Sequence, residues 1–289
     1  SSLPITVYRK ENNGDKVEDV NNRIYNLIKF KPNNFQNKIT FFEYVMYSVL
    51  TDGNAYVQIV RDNSANPVQL IPLNPDYVNI FIKENELFYQ MDGGSVLDSA
   101  DVLHIKLITD DGIEGLSPID QCAKAINWNL SIEEFGSTFF KNGAKPSSVL
   151  STDRALSETA IERLKNSFNS SYAKLKSSNS TIILEEGLTF KPISISPEQA
   201  QFLASRQFGI EEIARIFNIP PHMLKDLSKS SFNNIEMQSQ EYVTYTLMPY
   251  LTRIEQEMNL KLFRTNELGK TFVEFNVNGL LRGDVKTRN

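Results

Sequence analysis

Residues 196–263 begin Ser196-Pro197-Glu198-Gln199 and continue as a helical run to Phe217-Asn218. Ile219-Pro220-Pro221-His222-Met223-Leu224 follows, then a short polar loop from Asp226 to Asn233. A second long helical pattern starts near Asn234 and carries Pro249 in its middle. Ser196 with Gln199 is a capping box, and Phe202, Leu203, Ile210, Ile213 and Phe217 are the apolar residues of the helix it opens. Two adjacent prolines stop that helix and stiffen the corner. Pro249 has no amide to donate and crowds the carbonyl of Tyr245, so one kinked helix is expected, with an apolar stripe of Leu247, Leu251, Ile254, Met258 and Leu262. Helices of this length need partners to cover them. The pattern points to an assembly whose work is mechanical rather than catalytic.

A matching helix lies upstream. Ser117 is placed as N-cap, Pro118 at the first helical position and Asp120 in the first turn. Ile119, Cys122, Ala123, Ile126 and Leu130 keep helical spacing, and Asn142-Gly143 is a natural stop. Run without a break, this helix is roughly 37 Å long at about 1.5 Å per residue. Between the two helices sits a small α/β insert, residues 144–195. It reads as a strand at Ser147–Leu150, a helix capped by Ser157 with Ile161, Leu164 and Phe168, and a loop at Lys174–Ser180. Thr181–Leu184 and Leu188–Ile193 then form a hairpin about Glu185-Glu186-Gly187. The simplest geometry is an antiparallel helix pair with the insert at its far tip.

Residues 1–116 are mixed, with strands dominating. Strands are expected at Ile5–Tyr8, Asn54–Arg61, Val68–Leu73, Val78–Ile82, Leu87–Met91 and Val102–Leu107, with a polar hairpin at Asn12-Asn13-Gly14-Asp15. Thr40 and Glu43 form a capping box, so a helix is expected from Phe41, apolar nearly all round and ended by Asp52-Gly53. Phe272–Val277 is a last strand.

The 289 residues carry a net charge of −5, with 40% apolar and 22% charged residues. Such a chain can build a core, and it is not a strong nonspecific binder of duplex DNA. Cys122 alone excludes an internal disulfide and a multi-thiolate metal site, and two histidines, His104 and His222, exclude a His-rich one. The longest apolar run, Phe41 to Leu50, is too short to span a bilayer and contains Glu43. No signal peptide is recognisable. The sequons at Asn129, Asn169 and Asn179 read as chance matches in a chain rich in Asn and Ser.

Catalytic signals are few. There is no Gly-rich phosphate loop with a following Lys-Ser/Thr, and Ser117 lies outside any nucleophile elbow. His104, in a strand, and His222, at the corner, read as structural. Asp62, Ser64 and Asn66 mimic the start of a calcium loop, but Pro67 and Leu73 stand where Gly and Glu are needed. The strongest enzyme-like cluster is Asp110, Asp111 and Glu114, which could hold Mg²⁺ for work on nucleic acid. A polar loop entering the Ser117 helix accounts for the same residues.

Several motifs, in order, resemble the portal family of tailed bacteriophages, in its Hong Kong-type siphophage branch. They are Pro32-Asn33 before Phe41-Phe42, Gly53-Asn54-Ala55-Tyr56, Leu70-Ile71-Pro72-Leu73-Asn74-Pro75 and Gly112-Ile113-Glu114-Gly115-Leu116-Ser117-Pro118. Phe139 to Pro146 and the sharpest match, Ala214 to Leu224, follow. Asn234-Ile235-Glu236, Leu247-Met248-Pro249, Arg253-Ile254-Glu255 and Leu280 to Asp284 complete the series. Each is weak alone; their order over some 250 residues is specific. The family pattern also has a segment before Ser1 and a crown after Asn289.

The resemblance implies an α+β portal fold and no enzyme activity, cofactor or metal. Residues 1–116 would be the first part of a wing, and 117–143 and 196–217 an antiparallel two-helix stem. Residues 144–195 would be a small α/β clip, 218–265 a tunnel loop with a kinked tunnel helix, and 266–289 the last part of the wing. Pro220 and Pro221 would make the corner and Pro249 the kink. Lys225, Ser228, Lys229, Ser230 and Ser231 would be the DNA-contact candidates of the tunnel loop. The implied partners are the protein itself in a ring, usually of twelve, double-stranded DNA in the channel, capsid and scaffold proteins, and a terminase motor and head–tail adaptor at the clip. The implied place is one vertex of a virion assembled in the bacterial cytoplasm. The competing reading is a Mg²⁺-dependent nucleic-acid-processing enzyme using Asp110, Asp111 and Glu114.

Overall fold

Ile5 and Val7 are buried while Arg9 and Lys10 are exposed, so the first strand, β1 (Ile5–Lys10), lays one end of its length on the core. It pairs antiparallel with β2 (Lys16–Glu18) through the expected polar turn and, on its other side, with the last strand, β11 (Thr271–Phe275), Val7 opposite Val273. The computed structural model describes residues 1–141, 148–151, 157–174, 189–192, 202–227 and 232–281. They fall into two units, residues 1–128 with 208–289, and residues 129–207.

In the first unit, a short helix α1 (Tyr25–Lys29) precedes α2 (Lys38–Asp52). The expected Thr40 cap is not used. Asn37 takes the place, its side-chain oxygen accepting the Thr40 N–H at 3.0 Å, so the helix starts three residues before Phe41. Gly53 ends it at φ 75°, its N–H bonded to the Val49 carbonyl. Nor is α2 covered all round: Phe41, Phe42, Val45 and Val49 are buried, but Ile39 and Tyr47 are exposed.

Strand β3 (Asn54–Arg61) runs between β4 (Pro67–Leu73) and β8 (Val102–Lys106), antiparallel to both. A second antiparallel sheet holds β5 (Val78–Lys83), β6 (Glu86–Met91) and β7 (Val96–Asp98). The strands expected here are all present. Unexpected are α1 and β7, while β2 is expected only as the unbounded return of the polar hairpin. Each is short, and β2 is exposed at every residue, so none shows a period.

The expected continuous helix from Pro118 is broken by one residue. It forms α3 (Pro118–Gln121) and α4 (Ala123–Lys141), with Cys122 between them at φ −105°, ψ 15°. The Cys122 N–H is shared between the carbonyls of Pro118 and Asp120, which tightens the turn there. Ser117 caps as expected, accepting the Asp120 N–H at 3.1 Å.

In the second unit, β9 (Ser148–Ser151) pairs antiparallel with β10 (Thr189–Pro192), Leu150 opposite Phe190. Helix α5 (Glu158–Lys174) is capped by Ser157, which accepts the Ala160 N–H at 3.3 Å. Lys174 is still helical, not loop. The strand expected at 188–193 therefore has residues 148–151 beside it. Its expected hairpin partner at 181–184, the stop at Asn142-Gly143 and the capping box at 196–199 lie outside the described residues.

The last elements are α6 (Phe202–Ile216), α7 (Phe232–Glu241), a π-helical segment Tyr242–Leu247, α8 (Met248–Lys261) and α9 (Asn278–Leu281). Where a kink at Pro249 is expected, the structure has that π segment, in which the Met248 N–H bonds the Val243 carbonyl five residues back. The wider turn moves the chain off the α register in which the proline ring would meet the Tyr245 carbonyl.

Leu251, Ile254, Met258 and Leu262 enter the main core with Ile5, Phe41, Phe42, Val57, Leu103 and Phe275. The apolar stripe on α8 is thus covered by its own chain, not left for a neighbour. Polar side chains of α8 complete two sheet edges. Glu255 accepts the Phe275 N–H at 2.7 Å, and Asn259 accepts the Val273 N–H at 2.6 Å. Lys261 donates to the Val102 carbonyl at 2.7 Å, and Glu257 accepts the His104 N–H at 3.3 Å. Among the described residues, no helix is long and apolar enough to cross a membrane.

Candidate functional site

Helix α6 ends in a six-residue closing turn dictated by its sequence. The Asn218 N–H bonds the Arg215 carbonyl at 3.2 Å and the Ile219 N–H bonds the Ala214 carbonyl at 2.8 Å. This is a Schellman motif. Its αL position is Asn218, at φ 51°, one of the few side chains that tolerate that region. Pro220 then forbids continuation, and Pro221 opens a 3₁₀ turn, Pro221–Leu224. Lys225 closes it in the left-handed region at φ 66° and is exposed. Ser228, Lys229, Ser230 and Ser231 lie outside the described residues.

The corner is tied to the Pro249 helix at two points. His222 has its Nδ1 3.0 Å from Gln238 Oε1 and its Nε2 3.4 Å from Ser239 Oγ, both on α7. The expectation that His222 packs at the corner is met. Asn218 reaches the π segment: its Nδ2 donates to Thr246 Oγ1 at 2.9 Å and lies 3.5 Å from the Tyr245 carbonyl. The Thr246 hydroxyl donates in turn to the Asn218 carbonyl at 2.5 Å. The Tyr245 carbonyl is the one that Pro249, lacking an amide, cannot serve in an α register. So Asn218 closes one helix and supports the irregular turn of the next. The Asn218 and Thr246 pairing carried no signal in the sequence beyond an αL-tolerant residue before a proline.

Between these elements lies a groove of about 470 Å³, floored by Ala214, Ile219, Pro220 and Tyr242, with Glu211, Arg215 and Glu241 also among its lining. Tyr245, 69% exposed, borders it, and Met237 on α7 is 58% exposed. Trp128 on α4 and Phe208 on α6 are also largely exposed.

A second locus joins two motifs far apart in the chain. The Asn54 side-chain amide pairs with the backbone of Gly115, accepting its N–H at 2.7 Å and donating to its carbonyl at 2.7 Å. The same Asn54 oxygen lies 2.9 Å from His104 Nε2, and Tyr89 Oη lies 3.1 Å from His104 Nδ1. An acceptor already serving Gly115 requires the N–H on Nε2, so His104 is neutral and takes the Tyr89 hydroxyl at Nδ1. Burial, then Lys106 and Lys261 nearby, pull its pKa down to about 3. Ser117 completes the joint by donating to the Thr51 carbonyl at 2.7 Å. The arrangement positions the start of α3; it does not poise a base.

The acidic cluster is structural. Asp111 Oδ1 accepts the N–H groups of Ile113 at 2.7 Å and Glu114 at 3.0 Å, and these bonds hold the carboxyl below its usual range. The carboxylate builds a turn. Among the described residues no group of three or more His, Cys, Asp or Glu is placed to hold a metal ion. The Asp110, Asp111 and Glu114 enzyme reading therefore gains nothing from the geometry.

A family model described as phage portal protein matches residues 1–289. The portal protein of Enterobacteria phage HK97 is 29% identical over 99% of this chain and 69% of its own length. The probable portal protein of Streptomyces phage phiC31 is 30% identical over 100% of this chain and 66% of its own length. The chain thus spans about two thirds of these relatives. Among solved structures, an HK97-family phage portal protein from Corynebacterium diphtheriae superposes with a TM-score of 0.70 at 16% identity, covering 98% of this chain and 89% of that one. A chain from the virion of a gene transfer agent particle gives 0.65 at 21% identity, covering 96% of this chain and 76% of that one. At these identities the structures speak to the fold, and the fold agrees.

Proposed function

The chain belongs to the phage portal protein family, and from that premise we propose that it is the repeating subunit of a closed ring that conducts double-stranded DNA through one capsid vertex during packaging and ejection and joins head to tail. The observation that carries this reading is the family match along the whole chain together with the fold agreement. Related chains occur in particle necks computed with C12 and C6 symmetry, which supports a ring, with twelve subunits as the proposed number. The family is one of conduits rather than enzymes, and the Asp111 turn fits that.

On this reading residues 1–116 and 266–289 form the wing, 117–143 and 196–217 the stem, and 218–265 the tunnel loop and helix. Residues 144–195 form the clip that meets a terminase motor and a head–tail adaptor; capsid and scaffold proteins surround the vertex. Assembly takes place in the bacterial cytoplasm. Residues 117–217, stem and clip together, hold 11 Lys and Arg against 11 Asp and Glu, and the stem residues alone, 117–143 and 196–217, hold 4 against 6. A near-neutral stem suits sliding, because a dense positive lining would bind phosphates tightly. The candidate DNA contacts are Lys225, Ser228, Lys229, Ser230 and Ser231, where the chain offers two cations among small polar residues.

The experiment is DNA packaging into heads carrying Lys225→Glu or Lys229→Glu protein. A severalfold loss of packaging rate or a shortened packaged length is expected for Lys229→Glu, because each change replaces an attraction to phosphate by a repulsion. Normal rate and full length for both variants would remove the loop from the DNA path.

A further inference from the structure

Two independent anchors set the rotation of the helix that carries Pro249. The first holds α8. Glu255 and Asn259 bond strand β11, while Glu257 and Lys261 bond strand β8. Turning α8 about its axis breaks sheet-edge bonds on both sides. The second anchor holds α7, through Gln238 and Ser239 against His222 at the corner. Between the anchors the backbone makes its one wide turn, Tyr242–Leu247. A π turn holds one residue more than the α turn it replaces. Relative to an unbroken α-helix, one residue is a rotation of about 100° and a rise of about 1.5 Å. Pro249 disfavours the unbroken register, and Asn218 supports the π turn through Tyr245 and Thr246.

We propose that Tyr242–Leu247 is a one-residue register offset, held by Pro249 and Asn218, that aims α7 at the diproline corner. Without the offset, Gln238 and Ser239 turn away from His222 while α8 stays in place. Pro249 and Asn218 are thus positioning residues for α7, a role distinct from any contact with DNA. The inference goes beyond the conduit reading and stands independently of it.

The test uses the full chain with Cys122→Ser and spin labels at Met237→Cys and Lys270→Cys, both exposed positions, with the inter-label distance read by pulsed electron resonance. Deleting Thr244 together with Pro249→Ala removes the extra residue and the obstacle at once. Both anchors then stay in register on an ordinary α-helix, so a folded protein with the parental distance is expected. Deleting Gln240, within the regular turns of α7, is expected to move the Met237 label by several ångströms. Asn218→Gly with Pro249→Ala and no deletion is expected to add a second distance, as part of the population adopts the α register. A purely structural role for these residues would lower thermal stability and leave the distance alone. A Thr244 deletion that shifts the distance as far as the Gln240 deletion does, or that fails to fold, overturns the proposal. So does a double substitution that keeps the parental distance alone.

Discussion

Gly115→Ala is expected to destabilise the first unit by about 3 kcal/mol, at the upper end for a one-carbon change in a packed interior. A Cβ on Gly115 would stand 2.2 Å from the Gly53 carbonyl oxygen, 2.9 Å from the Leu107 nitrogen and 3.0 Å from Asn54 Oδ1. Two of these are backbone atoms, which cannot swing aside. The Gly53 carbonyl is also engaged, accepting the Leu107 N–H at 2.9 Å. Relief of the clash must therefore open the pairing of Asn54 with Gly115, which leaves a buried amide short of partners. Gly112→Ala is the control. Gly112 sits at φ 79° with nothing within 4 Å of its would-be Cβ, so only backbone strain of about 1 kcal/mol is expected. Urea unfolding of the two variants reads the difference directly; equal losses would contradict the close-approach account.

Acid is expected to weaken the same joint. His104 is neutral in the folded chain with its pKa lowered from 6.5 to about 3, while the unfolded chain protonates near the ordinary value. Between those values the unfolded state binds the extra proton. The stability that His104 contributes is therefore complete above about pH 6.5 and is lost as pH falls toward about 3. From pH 7 to pH 5 the loss is about 2 kcal/mol. The groups facing it include Lys106 and Lys261, which oppose a new positive charge, and Glu257, whose carboxylate already bonds Lys261 at 2.9 Å. His104→Gln, which keeps a polar side chain without a titrating ring, is expected to be less stable at neutral pH but to lose less between the two pH values. A wild-type chain whose urea midpoint is flat from pH 7 to pH 5 would contradict a buried neutral imidazole.

Much of residues 1–116 was legible because their strands alternate and their turns use Gly, Asn and Asp in their ordinary roles. The Ser117 cap and the Gly53 stop were legible for the same reason. The start of α2 was not, since Asn37 and Thr40 both offer a capping side chain and only tertiary packing chooses between them. Strand β2 was legible only through the polar turn before it, because every residue in it is exposed and no face is marked. Pro249 announces an irregular helix, but a proline is compatible with a kink, a break or a π turn. The choice was made by Asn218, 31 positions earlier in the sequence. The Asn54, His104 and Gly115 cluster was hidden in the same way: its members are spread over 61 positions and meet only after β3 and β8 have paired. Asp111 shows the reverse error, a carboxylate that composition offers to a metal and that its own backbone has taken.

Exposed apolar side chains include Trp128 on α4, Phe208 on α6 and Met237 on α7. In a ring of rotated copies, neighbours meet head to tail through two different surfaces and the contacts close. Cryo-electron microscopy of the purified full-length protein tests this most directly. The account predicts closed rings with a central channel, Trp128 and Phe208 covered by adjacent subunits, and α7 beside the channel. Monomers or two-fold dimers as the sole species, or protein that cleaves DNA when given Mg²⁺, would contradict it.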